Sequence, residues 1–304
     1  MRHWKPQPSA GRWIGLLLLI VVIAGATALV LRIARSLAGP PETWQVNLPL
    51  YGLVLALLAL LALAGVLAYR VAGALTLGYQ LDRNGLYINW LGNRAVVPLD
   101  KIQSVDVGVV AQQIPWRLFQ GIGYYWGRGR TSDGKLLHLF ATRPPERCLV
   151  IYTPDEAYAI TPVDPEAFVQ DLEQRRNLGA TKSLAPMIEP SRIFLYAFWN
   201  DRTVRILLLA ALLLNLVVLA LLAARYPELG PTVRMRFNAA GQVAELRPRH
   251  QVLFLPLAAF GLSLLNMVLG LACYQRQQLG ARLLQGASVI VQVLFGLAIM
   301  TIIR

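Results

Sequence analysis

Residues 48–69 read LPLYGLVLALLALLALAGVLAY, 22 residues without a charge. A helix rises ~1.5 Å per residue and needs about 20 apolar residues to cross a ~30 Å hydrocarbon core, so this run is long enough to span a bilayer. Four more runs meet the same test: 13–31 with 19 residues, 206–224 with 19, 251–275 with 25 and 283–303 with 21. One such run could be a buried helix of a soluble core. Five cannot be hidden within 304 residues, of which 56% are hydrophobic and 15% charged, when soluble domains carry about 25% charged residues. The chain is therefore expected to be an α-helical membrane protein with about five transmembrane helices. The small residues Ala26, Thr27 and Ala28 after a basic start could mark a signal peptide. The first run exceeds the roughly 7–15 residues of a signal core, which favours a retained anchor.

Working outward, the runs divide the chain into a tail with two spans (1–73), a block low in such runs (74–180), a linker (181–205) and three spans (206–304). An external loop is expected over 225–250. The net charge of +13 does not sit in the block: between residues 70 and 205 there are 16 Lys/Arg against 13 Asp/Glu. The surplus lies in the tail, loops and helix ends, where bilayer topology and headgroups select it, so it reads as membrane and not as nucleic-acid binding. Arg2, Lys5 and Arg12 before the first span favour a cytoplasmic N-terminus, hence a cytoplasmic block. Arg32, Arg35 and five arginines between the third and fourth spans run against that orientation.

The block reads as β-structure. Leu75, Leu77, Tyr79 and Leu81 alternate with small or polar residues, Asp82-Arg83-Asn84-Gly85 turns the chain, and Leu86, Ile88 and Trp90 alternate again before a turn at Gly92-Asn93. Val105, Val107 and Val109 and the apolar stretches 136–140, 148–152 and 157–161 continue the pattern, which predicts a small barrel or sandwich. A helix closes it: Asp164 can cap, Pro165 suits the first position, Phe168 and Leu172 share a face, and Gly179 stops it. Beyond the linker, Ile193, Phe194, Ala197 and Phe198 mark either an interfacial amphipathic segment or the first turn of the third span.

The stretch Tyr158-Ala159-Ile160-Thr161-Pro162-Val163-Asp164-Pro165-Glu166-Ala167-Phe168 resembles the end of the bacterial pleckstrin-homology-like (PH-like) domains, which often read Y-x-I-x-P-x-D-P-x-x-F. The segment at Gly85 and residues 99–105 are similar to that family's early strands. The resemblance covers about 74–178 and implies a β-barrel capped by one helix, with a non-catalytic binding or scaffolding role. Separately, Arg236-Phe237-Asn238-Ala239-Ala240-Gly241-Gln242 resembles the H-F-N-x-x-G loop of a membrane family of unknown function that also includes some bacteriocin-immunity proteins. Here Arg236 replaces the histidine and with it the only ligand or proton carrier that loop would offer. The same residues also read as a tight turn built on Asn238 and Gly241.

No catalytic constellation, metal site or cofactor is expected. His3, His138 and His250 lack ligand spacing, as do Cys148 and Cys273. Gly121-Ile122-Gly123 lacks the third glycine of a dinucleotide loop, and no nucleophile elbow is present. The unusual stretch is 114–130, in which Trp116, Phe119, Tyr124, Tyr125 and Trp126 alternate with Arg117, Arg128 and Arg130. Trp116, Arg117, Trp126, Arg128 and Arg130 are its candidates for contact with anionic headgroups, a protein partner, or the mouth of the barrel itself. Asn215, Asn266, Gln285 and Gln292 fall inside spans, where they either bond helices together or line a pathway; no charged residue occurs in mid-span. The expected role is a membrane-anchored adaptor, and the alternative is a transport- or immunity-type component regulated by the soluble block.

Overall fold

The computed structural model describes residues 1–108, 111–113, 121–179, 181–182, 184–189, 196–237 and 243–303. In chain order they form β1 (Arg2–Trp4), α1 (Ala10–Ser36), α2 (Leu48–Thr76), β2 (Gly78–Leu81), β3 (Gly85–Trp90), β4 (Asn93–Pro98), β5 (Ser104–Val107) and β6 (Ala111–Gln113). Then come β7 (Tyr125–Thr131), β8 (Leu136–Ala141), β9 (Leu149–Tyr152), β10 (Glu156–Ile160), α3 (Pro165–Asn177) and β11 (Met187–Glu189). The chain ends with α4 (Tyr196–Asn200), α5 (Arg202–Arg225), β12 (Thr232–Phe237), β13 (Val243–Pro248), α6 (Phe254–Cys273) and α7 (Gln278–Ile303). Among the described residues, five helices are long and apolar enough to cross a membrane: α1, α2, and those built on α5, α6 and α7. Two compact units result, one from residues 1–24 and 60–194, the other from 25–59 and 195–304.

In the first unit one sheet has the order β1-β2-β3-β4-β11 and the other β5-β9-β10-β8-β7-β6. The hairpins form where the sequence predicts them, with different turn chemistry. Asp82 Oδ1 accepts from the backbone of Asn84 at 2.7 Å and of Gly85 at 2.8 Å, so an aspartate-capped turn joins β2 to β3. The second turn is centred one residue earlier than Gly92-Asn93: Leu91 (φ 46°) and Gly92 (φ 74°) are both left-handed between the paired Trp90 and Asn93. Leucine rarely adopts that conformation. Here it is held by burial and by Thr76 Oγ1, which accepts from its amide at 3.0 Å.

Alternate residues of the second sheet feed two clusters, because successive side chains of a strand point to opposite faces. Phe140, Ile151, Tyr158 and Ile160 join Leu81, Ile88 and Val97 of the first sheet in the main core. Leu137, Leu139, Val150, Ala157 and Ala159 form a second cluster. Helix α3 closes the main core with Phe168 and Leu172, both fully buried. Its cap is the expected one: Asp164 accepts from the Ala167 amide at 3.0 Å, and Gly179 (φ 71°) follows its end.

The tail contributes a strand that the sequence reading left as a basic leader to the first span. Arg2–Trp4 pairs antiparallel with β2, and the Trp4 ring stands edge-on to Phe168 at 5.5 Å. The indole donates to Asp171 at 3.3 Å. Pro6 bridges to Pro162, which ties the tail to the Tyr158–Phe168 stretch. The linker likewise supplies β11, which pairs with β4 at the opposite edge of the sheet.

In the second unit α5, α6 and α7 pack around buried polar groups. Asn215 donates to the Pro256 carbonyl at 3.0 Å and to Gln292 Oε1 at 2.9 Å, and Gln292 donates to Ser263 at 2.9 Å. Asn266 donates to Ser288 at 3.1 Å, and Gln285 donates to the Asn266 carbonyl at 3.0 Å. Asp201 caps α5 through the Thr203 and Val204 amides and accepts from Tyr274 and Arg282, each at 2.9 Å. Burial pushes its carboxyl upward, but the bonds from Arg282, Tyr274 and the two amides outweigh burial and hold it below the usual range. Phe198 is buried edge-on to Tyr274 at 5.5 Å, so it belongs to this core; residues 191–195 of the expected amphipathic segment lie outside the described residues. The loop 225–250 carries the β12–β13 hairpin.

Replacing Trp4 with alanine is expected to lower stability by about 3 kcal/mol, the cost of emptying a core aromatic site. Met187→Ala at the half-exposed opposite edge costs under about 1 kcal/mol. Thermal melts of the full chain in detergent distinguish the two.

Candidate functional site

The candidate stretch enters the described residues at Gly121, wedged between the start of α1 and the end of α2. The Gly123 amide donates to the Gly11 carbonyl at 2.8 Å. Arg70 of α2 donates through Nε to the Ile122 carbonyl at 2.9 Å and through Nη2 to the Tyr124 carbonyl at 2.6 Å. A side chain on Gly11 would overlap the Gly121 carbonyl oxygen, and a Cβ on Gly73 would lie 2.7 Å from the Tyr124 ring. Gly121 and Gly123 themselves have φ of 83° and 81°, a conformation that favours glycine. The Gly-Ile-Gly stretch is thus a joint between domain and spans.

From this joint the chain enters β7 (Tyr125–Thr131). Tyr124 is buried, and Trp126 stands edge-on to Tyr69 of α2 at 6.4 Å. Tyr125 turns to the other face and packs against the second cluster. Arg128 and Arg130 follow on the Trp126 face and are exposed. At ~3.4 Å per residue they stand about 7 and 14 Å beyond Trp126. The described aromatic residues therefore pack, while the two arginines face solvent. Trp116 and Arg117 lie outside the described residues. Among the loop-motif residues, Arg236 and Phe237 end β12, and Asn238 and Gly241 lie outside the described residues.

The strand register places Arg128 opposite His138, and His138 opposite Tyr158. The His138 ring stacks on Tyr158 at 5.2 Å, and its Nε2 lies 3.4 Å from Glu156 Oε1. The Tyr158 hydroxyl donates to the other Glu156 oxygen. Burial lowers the imidazole pKa; Glu156 opposes the shift and Arg128 adds to it. The members of this cluster are stacked on and bonded to each other beside the core. Among the described residues no group of three His, Cys, Asp or Glu side chains is placed to hold a metal ion.

What sequence reasoning missed is the joint. Arg70 was legible only as a charge ending a span, and Gly11 and Gly73 only as helix glycines. Their partners are some fifty to a hundred positions away, and no local signal names them.

Fold and joint together define a class: a multi-span membrane protein carrying one mainly-β domain closed by a C-terminal helix. Residues 77–176 match the family model described as Bacterial PH domain, a span that covers the β-domain from β2 to α3. That part of the chain is a PH-like barrel, as its closing stretch implies. No curated protein and no solved structure matches the chain.

Two measurements test this geometry. Gly11→Ala is expected to cost about 1–3 kcal/mol by overpacking the joint. Gly52→Ala and Gly65→Ala, where a Cβ meets nothing within 4 Å, are neutral or slightly stabilising. Because His138 binds a proton less readily folded than unfolded, stability falls as pH drops through its ordinary value of 6.5. Denaturant melts from pH 8 to about 5 should show that slope diminished in His138→Gln.

Proposed function

We propose that the chain is a non-enzymatic adaptor of the bacterial cell membrane, whose PH-like domain engages anionic lipid headgroups at the surface from which its spans emerge. One observation supports this above the others. Residues Gly121–Tyr124, which lead into β7, are bonded to the start of α1 and the end of α2, where an apolar helix would leave hydrocarbon. Tethering there raises the effective concentration of the domain at the surface, so a few weak contacts suffice. Each arginine near an anionic surface contributes about 1 kcal/mol. The basic tail, whose strand β1 is part of the domain, favours the cytoplasmic face for both. Kinship of the three C-terminal spans with the H-F-N-x-x-G family belongs to the transport- or immunity-type reading, which has only that loop likeness behind it.

The test uses the full chain in nanodiscs, with hydrogen exchange followed on peptides covering 114–131. Anionic lipid should slow exchange there several-fold at low salt. High salt, or Arg117, Arg128 and Arg130 changed together to glutamine, should abolish the protection. Equal exchange in neutral and anionic discs would remove the lipid reading and direct the search to a protein partner.

A further inference from the structure

The face of the bilayer opposite the PH-like domain also carries a charge that the adaptor reading does not use. Successive spans alternate sides, so residues 32–47 and 225–250 share that face. They hold seven arginines against three glutamates. Positive residues are usually concentrated on the cytoplasmic side, so in the orientation proposed above, on which this inference rests, the surplus needs its own cause.

Within the second unit these segments frame a two-part cavity. Its lower part is an apolar cleft of about 210 Å³ between the first turns of α2 and the last turns of α5, lined by Leu50, Val54, Leu219, Leu222, Leu253 and Leu257. From Leu50 to Val54 it follows the apolar start of α2 for ~6 Å. Its upper part, about 430 Å³, is lined by Thr43, Gln45, Asn47, Tyr226 and Arg249. Trp44 and Val46 line both parts, so one continues into the other. Among the described residues of the two linings, Arg249 is the only charged one. It is half-buried, with its guanidinium 5.2 Å from the Tyr226 ring centre and 3.3 Å from the Glu42 carbonyl oxygen. The Tyr226 hydroxyl is buried without a hydrogen bond of standard geometry to a described residue.

We propose that this cavity binds one anionic phospholipid of the surrounding leaflet, with an acyl chain in the leucine cleft and the phosphate against Arg249. The division into apolar depth and polar rim matches a lipid's own polarity profile. A single positive charge at the rim selects an anionic headgroup over a zwitterionic one, and the arginine surplus around it enriches such lipids locally. A tryptophan at the junction of the two parts suits the same boundary. The site is distinct from the aromatic–arginine stretch: its lining belongs wholly to the second unit, and that stretch belongs to the first.

The experiment places the full chain in nanodiscs with photoactivatable phosphatidylglycerol or phosphatidylcholine and maps the cross-links by peptide mass spectrometry. Phosphatidylglycerol should label residues 44–54 and 219–257 several-fold more than phosphatidylcholine. Arg249→Gln should reduce that labelling to the choline level, and Val54→Trp, which fills the cleft, should reduce labelling by both probes. Arg128→Gln with Arg130→Gln should leave it unchanged, which separates this site from the PH-like surface. Equal labelling by the two probes overturns the proposal, as does undiminished labelling in Arg249→Gln. If Arg249→Gln fails to fold, Val54→Trp decides: retained phosphatidylglycerol labelling overturns the proposal and its loss supports it.

Discussion

The guanidinium of Arg70, near the end of an otherwise apolar helix, has to be satisfied. It takes the carbonyls of Ile122 and Tyr124, and the backbone that offers them can come that close only because Gly11 and Gly73 carry no side chain. A charge at the edge of hydrocarbon is costly without partners, and two carbonyls plus the neighbouring Tyr124 ring supply them. This one contact fixes where β7 starts and therefore where Arg128 and Arg130 project. It also closes a circuit. The chain leaves the β-domain at β1, crosses the membrane twice through α1 and α2, and re-enters the same sheet at β2, the strand that β1 pairs with.

That circuit explains which parts of the fold were legible in the sequence. The spans follow from composition alone, since nothing but a bilayer accommodates five such runs. Helix α3 was readable residue by residue, because capping, the proline and the stop glycine act within one or two turns. Strand β1 was not: three residues are too few for a period, and its basic flanks look like any leader to a first span. Its partner β2 lies beyond two spans, so only the folded chain shows that Trp4 packs edge-on against Phe168. The turn at Leu91 escaped for the opposite reason. Local rules forbid leucine there, and the burial and Thr76 hydrogen bond that permit it are tertiary.

The candidate site was half legible. The interleaving of aromatic and basic residues was visible, and its sorting was not. Tyr124 and Trp126 turn to the main core and Tyr125 to the second cluster, while Arg128 and Arg130 emerge on the open part of the same face as Trp126. Period-2 geometry dictates that sorting only once the strand's start is known, and the start is set by the joint. Gly121-Ile122-Gly123, discarded as a weak phosphate loop, serves as the hinge of the whole arrangement.

The polar residues of the C-terminal spans bear on the rival role. A conducting pathway needs polar groups that face water or a passing solute. Asn215, Gln292 and Ser263 instead hand hydrogen bonds to one another across three helices, and Asn266, Ser288 and Gln285 repeat the arrangement on the next turns of α6 and α7. Each bond is worth only ~0.6 kcal/mol on average, since the unfolded helix in lipid also finds partners. Their larger effect is on register: slipping α7 by one turn against α6 would break several at once. Gly270 tightens the same contact, for a Cβ there would lie 2.5 Å from the Gln285 amide nitrogen. Groups arranged in this way hold three helices in one alignment.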